Sequence, residues 1–146
     1  MPAYNEEANL PGMIADVAAI MQARFADFEI VVTNDGSKDR TGEVLAELAQ
    51  QYPQLKPVNH PVNQGYGAAV FTALSNASKD VIFFTDSDRQ FKLEEIDLLT
   101  PHLAEADMVV GYRAPRRDPP MRVLFGHGWS SLVTLLFGYT ARDIDC

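Results

Sequence analysis

Cysteine is nearly absent from this chain, which has one cysteine, at the final position of its 146 residues. A single cysteine cannot form an internal disulfide, so a disulfide-stapled fold is excluded. Hydrophobic residues make up 47% of the chain and charged residues 22%, a balance typical of globular proteins. We therefore expect a domain that is stabilised by an ordinary hydrophobic core.

Long hydrophobic runs are also missing. No segment of about 18 consecutive apolar residues occurs, so the sequence predicts no helix that spans a bilayer. The first residues contain neither a basic flank nor an apolar run, and we expect no signal peptide. The chain opens in a loop-like motif and closes without a helix stop, so we expect a piece that is truncated at both ends.

Basic residues are scarce. Lys and Arg number 12 against 20 Asp and Glu, which gives a formal net charge of −8. Such a chain is a poor binder of nucleic acid, and we expect no nucleic-acid partner. The three histidines are too scattered to suggest a metal cluster. An acidic protein that binds phosphate needs a cation or a local basic patch, and the sequence offers both.

Apolar strands alternate with amphipathic helices along the chain. Helical spacing of apolar residues predicts helices at 6–25, 41–52, 68–78, 93–104 and 122–137. Runs rich in β-branched and aromatic residues predict strands at 28–32, 55–59, 81–85 and 108–112. This alternation indicates an α/β fold with a mostly parallel sheet, in which ligands bind at the carboxyl ends of the strands.

Polar motifs occupy these strand ends. Residues 34–37 follow one predicted strand and residues 85–90 follow another. If a strand precedes Pro2, residues 2–7 lie at a strand end as well, and the three segments converge on one crevice. The alternative is a structural one, because Asp, Asn and Ser commonly satisfy backbone amides in turns and helix caps. Asp39 or Ser37, for example, can cap the helix that starts at residue 41.

An acidic pair, Asp86 and Asp88, follows the predicted strand 81–85 directly. Two carboxylates at this spacing can reach one cation, and hard oxygen ligands select Mg²⁺ or Mn²⁺, which share coordination with substrate phosphates. Gln90 can supply a further oxygen or a hydrogen bond to a sugar. A capped turn is the alternative explanation for the pair.

A glycine-containing loop at residues 63–67 leads into a predicted helix. Gly65 permits a close backbone approach, and a helix start favours anions. Asp35 can hydrogen-bond a nucleobase or ribose, and Tyr4 can lie against a base. A turn for Asp35 and simple packing for Tyr4 are the alternatives.

The order and spacing of these motifs resemble the family 2 glycosyltransferases. The matching segments are residues 2–7, 34–41, 63–69, 85–90 and 111–113. The resemblance implies the GT-A fold, a Rossmann-like three-layer α/β/α arrangement with a mostly parallel central sheet. The chain is most similar to the dolichol-phosphate mannosyltransferase-like branch. It departs from the family at Asn34, where an aspartate is common, and in lacking the family's opening strand before Met1.

The resemblance also implies roles for single residues. Those that border or contact the nucleotide are Pro2, Ala3, Tyr4, Asn5, Glu6, Asp35, Gly65 and Asp86. The metal ligands are Asp86, Asp88 and Gln90, and the catalytic residues are Asp88 and Arg113.

A basic loop stands out in this acidic chain. Four arginines, Arg113, Arg116, Arg117 and Arg122, occur within ten residues, and arginine forks suit phosphate. We predict that they bind an acceptor phosphate. The apolar stretch 123–137 behind them is typical of a helix that lies on a membrane surface. The alternative is a solvated loop before an ordinary core helix.

We therefore predict an inverting, metal-dependent glycosyltransferase that moves a sugar from a nucleoside-diphosphate donor, of the GDP-mannose or UDP-glucose type, to a polyprenyl phosphate. One alternative is transfer to a sugar hydroxyl in cell-wall, capsule or polysaccharide synthesis, with Asp143 or Asp145 as the base. The other is a non-catalytic module that binds a nucleotide-sugar. We expect a single domain over residues 1–146, a cytoplasmic location at the inner face of a membrane, and a homodimer as one remedy for an exposed sheet edge.

Overall fold

The computed structural model describes residues 1–87, 89, 91–111 and 120–138. The chain forms two compact units, residues 1–94 and residues 95–146, and each is described by itself. The single domain predicted over the whole chain stays a prediction. The first unit carries the described part of every predicted donor-site segment.

The first unit alternates strands and helices. Its elements are β1 (Pro2–Ala3), α1 (Leu10–Arg24), β2 (Ile30–Asp35), α2 (Thr41–Gln51), β3 (Leu55–His60) and α3 (Tyr66–Ser75). The three strands are parallel in the order β1-β2-β3, with Pro2 opposite Thr33 and Ile30 opposite Leu55. The predicted α/β alternation with a parallel sheet is confirmed, and all three strands end at the same edge of the sheet.

The hydrophobic core of this unit joins the sheet to α1 and α2. On α1, Leu10, Ile14 and Ala18 recur every four residues, so they lie on one face of the helix. The buried core residues are Ala3, Leu10, Ile14, Ala18, Ile30, Val32, Leu45, Leu48 and Leu55. Full burial of a side chain such as Leu45 contributes about 2 kcal/mol to folding. The core therefore fixes the sheet edge from which the polar loops emerge.

Helix α1 begins later than predicted. Residues 6–9 form a turn instead, in which the Glu6 carbonyl accepts hydrogen bonds from the backbone N–H groups of Asn9 and Leu10, both at 3.0 Å. Pro11 lies in the first turn of the helix, where its missing N–H costs nothing. The turn leaves residues 5–7 free of the helix and able to bond the neighbouring loop.

Two predicted strands are wrong. Residues 81–85 and 108–111 form no strand, and Val81 is 60% exposed. Their β-branched and aromatic residues favour extended backbone, but a segment becomes a strand only when it pairs with a neighbouring strand. Within the described residues, the ladders stop at β3 on one side and at β1 on the other.

Four helical segments follow α3 within the described residues. The chain passes through a 3₁₀ turn (Leu93–Glu95), α4 (Ile96–Leu99), a second 3₁₀ turn (Thr100–Ala104) and α5 (Pro120–Phe137). The single helix predicted over 93–104 is wrong, because the segment is divided into the two 3₁₀ turns and α4; Pro101, which has no backbone N–H to donate, lies at the start of the second 3₁₀ turn. None of the described helices is both long enough and apolar enough to cross a membrane.

Candidate active site

The loops that follow β1 and β2 are joined by hydrogen bonds. The Asn5 backbone N–H donates to Ser37 Oγ at 3.0 Å, and the Lys38 N–H donates to Asn5 Oδ1 at 2.9 Å. The Glu6 N–H donates to Thr41 Oγ1 at 2.8 Å. Asn5 has a φ of 57°, in the left-handed region that asparagine tolerates. The carboxyl ends of the two strands therefore share one polar surface.

Asp39 strengthens this junction. Its Oδ1 accepts hydrogen bonds from the Thr41 backbone N–H at 3.0 Å and from the Thr41 hydroxyl at 2.6 Å. Its Oδ2 accepts from the Glu7 N–H at 3.2 Å. Burial raises the pKa of Asp39, but the bonds from Thr41 and Glu7 outweigh it and hold this pKa below its usual value. Of the two predicted caps, Asp39 accepts a hydrogen bond from the first residue of α2, whereas Ser37 accepts one from Asn5, and the N-cap position itself is Arg40.

Asp35, the last residue of β2, holds the glycine loop. Its Oδ1 accepts from the Gln64 N–H at 2.8 Å and lies 2.7 Å from His60 Nδ1, while its Oδ2 accepts from the Gly65 N–H at 2.9 Å. Burial raises the pKa of Asp35, yet the donors of Gln64, His60 and Gly65 together lower it below its usual value. Asp35 is thus a buried, ionised carboxylate that fixes the backbone of the loop before α3.

Gly36 lets the loops approach each other closely. Its φ is 62°, and a Cβ at this position would overlap the backbone of Val62 and Asn63. Beside it, the Asn34 side chain donates to Asn59 Oδ1 at 2.9 Å. Only glycine fits this position without moving the neighbouring backbone. Gly36 therefore lets the loop after β2 lie directly against the loop that leads to Gly65.

The acidic segment lies at the same edge. The buried Ser87 hydroxyl donates to the Pro2 carbonyl oxygen at 2.9 Å, which ties the segment to β1. The Tyr66 hydroxyl, from the start of α3, donates to Asp86 Oδ1 at 3.0 Å. These bonds bring the described part of segment 85–90 to the other three loops. The predicted convergence is confirmed, although residues 81–85 form no strand.

The predicted metal ligands are only partly described. Asp88 and Gln90 lie outside the described residues. Among the residues that are described, no group of three or more His, Cys, Asp or Glu is placed to hold a metal ion. The half-buried Asp86 carboxylate supplies one hard oxygen ligand of the type that Mg²⁺ and Mn²⁺ bind. The three-residue ligand set stays a prediction.

The predicted nucleotide border divides into two parts. Pro2 and Ala3 are buried in β1, and Ala3 packs in the hydrophobic core. Tyr4 and Asn5 are exposed and Glu6 is half-buried, so these three can meet a ligand. Their contacts with a nucleotide stay predictions, as do those of Asp35 and Gly65.

The predicted acceptor site falls mainly on residues that are not described. Arg113, Arg116 and Arg117 lie outside the described residues, as do Asp143 and Asp145, and of Arg122 only its place in α5 is described. The exposed apolar residues of α5 include Phe125, Trp129, Leu132, Leu135, Leu136 and Phe137. Both the phosphate-binding and the membrane-surface roles stay predictions.

Sequence reasoning missed three side chains of the site, namely His60, Tyr66 and Ser87. The scattered positions of the three histidines give no reason to select His60 from the sequence. Its position at the end of a strand is the feature that could have indicated a role. His60 is the last residue of β3 and pairs in register with Asp35 at the end of β2. The hydroxyls of Tyr66 and Ser87 carry no comparable signal, because their partners are set by tertiary contacts.

Comparison with known proteins places the chain in a family. Residues 1–134 match the sequence profile described as Glycosyl transferase family 2. The chain belongs to this family. The resemblance of the loop motifs is thereby confirmed at the level of the family.

Several curated members of the family are similar to this chain. One is a dolichyl-phosphate beta-glucosyltransferase of Trichomonas vaginalis, 31% identical over 160 residues, covering 100% of this chain and 50% of the relative. Another is an undecaprenyl-phosphate 4-deoxy-4-formamido-L-arabinose transferase of Pectobacterium carotovorum, 32% identical over 149 residues, covering 100% of this chain and 45% of the relative. A bactoprenol glucosyl transferase of Shigella phage SfV is 36% identical over 121 residues, covering 80% of this chain and 38% of the relative. The chain spans about half the length of the curated relatives it matches first.

A solved structure shares the fold. It is a mannosyltransferase of Pyrobaculum calidifontis in complex with GDP-Man and Mn²⁺, with a TM-score of 0.56 and 24% identity. The match covers 64% of this chain and 28% of that one. Together with the family membership, this likeness confirms the predicted α/β fold of the GT-A type.

Proposed function

We propose that this chain forms the donor-binding part of a glycosyltransferase that moves a sugar from a nucleoside diphosphate to a polyprenyl phosphate. The observation that carries the proposal is the convergence of four polar segments at one edge of a parallel sheet. Three relatives support the acceptor class, because their names specify dolichyl phosphate, undecaprenyl phosphate and bactoprenol.

The nucleotide lies between the first loop and the loop held by Asp35. Tyr4, Asn5 and Glu6 contribute exposed or half-buried polar groups, and the buried Pro2 and Ala3 hold this segment in β1. The start of α3 lies directly beyond Gly65, and the helix dipole at this end favours the negative charge of a diphosphate. The crevice thus offers hydrogen bonds to the nucleoside and a positive dipole to its phosphates.

Asp86, Asp88 and Gln90 bind a divalent cation, Mg²⁺ or Mn²⁺. When it is bound, the ion supplies positive charge that stabilises the leaving diphosphate. The chain orients one of these ligands itself, since the Tyr66 hydroxyl donates to Asp86 and Ser87 anchors the segment to β1. The Pyrobaculum structure, with GDP-Man and Mn²⁺, supports the choice of a divalent metal.

The acceptor phosphate needs cations more than it needs a base. A phosphate monoester has a second pKa of about 6, so at neutral pH it is largely a dianion and a competent nucleophile. Arg113, Arg116, Arg117 and Arg122 hold this dianion. One of its oxygens attacks the anomeric carbon from the face opposite the diphosphate, the bond to the diphosphate oxygen breaks, and the configuration inverts. Arg113 also stabilises the charge that develops on the phosphate groups.

For the whole protein we propose a cytoplasmic location at the inner face of a membrane. The exposed apolar side chains of α5 support this placement, because a helix with such a face lies at the boundary between headgroups and acyl chains. A homodimer is the proposed oligomeric state, and sedimentation velocity of the full-length protein tests it. A purely monomeric boundary at micromolar concentrations would contradict the homodimer.

Isothermal titration tests donor binding. UDP and GDP are titrated into the wild type and into Asp88→Ala, each with and without Mn²⁺. We expect affinity that depends on Mn²⁺ in the wild type and falls at least tenfold in the variant, because one metal ligand is lost. Asp80→Ala is the matched control, since it removes an exposed carboxylate beyond the end of α3. Equal, metal-independent binding by wild type and Asp88→Ala refutes the donor site.

The acceptor class needs a separate assay. The full-length protein is incubated with labelled donor and either a short polyprenyl phosphate or free sugars. Transfer to the polyprenyl phosphate supports the proposal. Transfer to sugar hydroxyls alone contradicts it.

A further inference from the structure

We infer that His60 is a positioning residue of the donor site, which holds Asp35 in the orientation that fixes the backbone of residues 64 and 65. The inference rests on the proposed function, because the loop at residues 63–67 is one wall of the proposed nucleotide site. His60 lies outside the motif segments of the donor site, and the proposed function gives it no role.

The imidazole faces Asp35 inside the protein. His60 and Asp35 end adjacent parallel strands as register partners, and their side chains are only 8% and 4% exposed. His60 Nδ1 and Asp35 Oδ1 are 2.7 Å apart. An ionised carboxylate only accepts hydrogen bonds, so Nδ1 carries the hydrogen and donates it. A buried carboxylate depends on such donors, because without them it would lose the hydration it had in water.

The other ring nitrogen is held as well. His60 Nε2 lies 2.9 Å from Thr72 Oγ1, on the second turn of α3. The ring therefore bridges the end of β2 and helix α3, and it cannot flip or rotate without losing both bonds. This double attachment fixes the direction from which His60 reaches Asp35.

Asp35 passes this constraint to the loop. Its two oxygens accept from the N–H groups of Gln64 and Gly65. Gly65 has a φ of 94°, a backbone conformation that glycine adopts readily. The next residue, Tyr66, donates its hydroxyl to Asp86. Hydrogen bonds at His60, Asp35 and Gly65, followed by the covalent link from Gly65 to Tyr66, thus connect His60 to the acidic segment. If His60 is removed, Asp35 keeps only its two bonds from the loop itself, and we expect both the loop and the Tyr66 contact to shift.

Two substitutions at His60 separate positioning from simple packing. His60→Asn keeps a side-chain N–H close to the place of Nδ1, so it still donates to Asp35 but does not reach Thr72. His60→Leu has a similar size and donates nothing. We expect His60→Leu to raise the Kd of the Mn²⁺–nucleotide complex (UDP or GDP, whichever the wild type binds) about tenfold, and His60→Asn to raise it less than about threefold. His102→Leu, an exposed histidine of the second unit, is the matched control and leaves the Kd unchanged.

Amide NMR of the ligand-free protein supplies the second readout. A backbone N–H that donates to a carboxylate has a proton resonance shifted downfield. We expect the Gln64 and Gly65 resonances to move upfield in His60→Leu and to stay near their wild-type positions in His60→Asn. If His60→Leu does not fold, Thr72→Val and Thr72→Ser take its place. The valine variant should weaken binding about threefold and the serine variant, which keeps the hydroxyl, should not.

The possible results separate the two proposals. If the wild type binds neither UDP nor GDP with Mn²⁺, the proposed function is wrong, and the inference that depends on it is wrong as well. If the wild type binds but His60→Leu binds equally well, or if His60→Asn is weakened as much as His60→Leu, only the inference is overturned. Equal affinity of the two Thr72 variants overturns it in the same way.

Discussion

Two buried threonines of the first unit have opposite hydrogen-bonding surroundings. Thr33 and Thr41 are both 0% exposed. The Thr41 hydroxyl accepts from the Glu6 N–H at 2.8 Å and donates to Asp39 at 2.6 Å, so it joins the loops that form the crevice. The Thr33 hydroxyl has no hydrogen-bond partner within the described part of the chain. The same threonine-to-valine substitution should therefore change stability in opposite directions.

The magnitudes follow from these contacts. Thr41→Val removes a hydrogen bond to a carboxylate, worth about 1.5–3 kcal/mol, and leaves the Glu6 N–H without an acceptor. Because Asp39 retains its bond from the Thr41 backbone N–H, we expect a net loss of about 2–3 kcal/mol. Thr33→Val replaces an unpaired buried hydroxyl by a methyl group in a strand that favours β-branched residues. We expect it to be neutral or to stabilise by about 1 kcal/mol.

Urea unfolding followed by circular dichroism measures both variants under the same conditions. An unchanged m-value shows that the difference lies in stability and not in the extent of unfolding. Thr41→Ser, which keeps the hydroxyl, should recover most of the loss. If Thr41→Val and Thr33→Val differ by less than about 0.5 kcal/mol, the account of the joined loops is wrong.

Three further predictions concern acidity and glycine positions. The hydrogen bond from Lys56, followed by those from Ser78, lowers the pKa of Glu29 from 4.5 to about 2; this contribution is present above about pH 4.5 and is lost as pH falls towards 2. The free energy of unfolding of Glu29→Gln should therefore change less between about pH 4.5 and pH 2 than that of the wild type. An unchanged pH dependence contradicts the pairing of Glu29 with Lys56 and Ser78. Gly36→Ala should destabilise by at least about 2 kcal/mol in urea, because its positive φ and the adjacent backbone both exclude a Cβ; a neutral effect contradicts this. Gly12→Ala should stabilise by about 0.5–1 kcal/mol, because its Cβ would meet the end of the half-exposed Arg89 side chain, whose ion pair with Asp16 can rearrange at little cost. A loss above about 1 kcal/mol shows that this end is held rigidly.

The order of elements in the first unit could be predicted because it depends on local patterns. Apolar residues at helical spacing mark α1 and α2, and a β-branched run marks β2. The polar strand ends could be found for the same reason, since the carboxyl ends of parallel strands meet at one edge. Convergence of the loops therefore followed from the sequence.

What could not be predicted depends on distant contacts. The segment 81–85 has strand composition, but only a paired neighbour makes it a strand, and Val81 is exposed instead. His60, 25 residues away from Asp35, meets it inside the protein, and nothing local in the sequence shows this contact. The positive φ of Asn5 and the late start of α1 likewise follow from bonds to the loop after β2.

The central claim is that a nucleoside diphosphate and a divalent metal bind together where the four loops meet. Paramagnetic broadening by Mn²⁺ in ¹H–¹⁵N spectra maps that position directly, with Mg²⁺ as the diamagnetic reference. With nucleotide present, we expect Mn²⁺ at substoichiometric amounts to broaden the amides of residues 3–6, 35–37, 64–67 and 85–87, and to leave those of residues 20–24 and 46–51 sharp. Broadening spread over the acidic surface, or the same broadening without nucleotide, would contradict the claim.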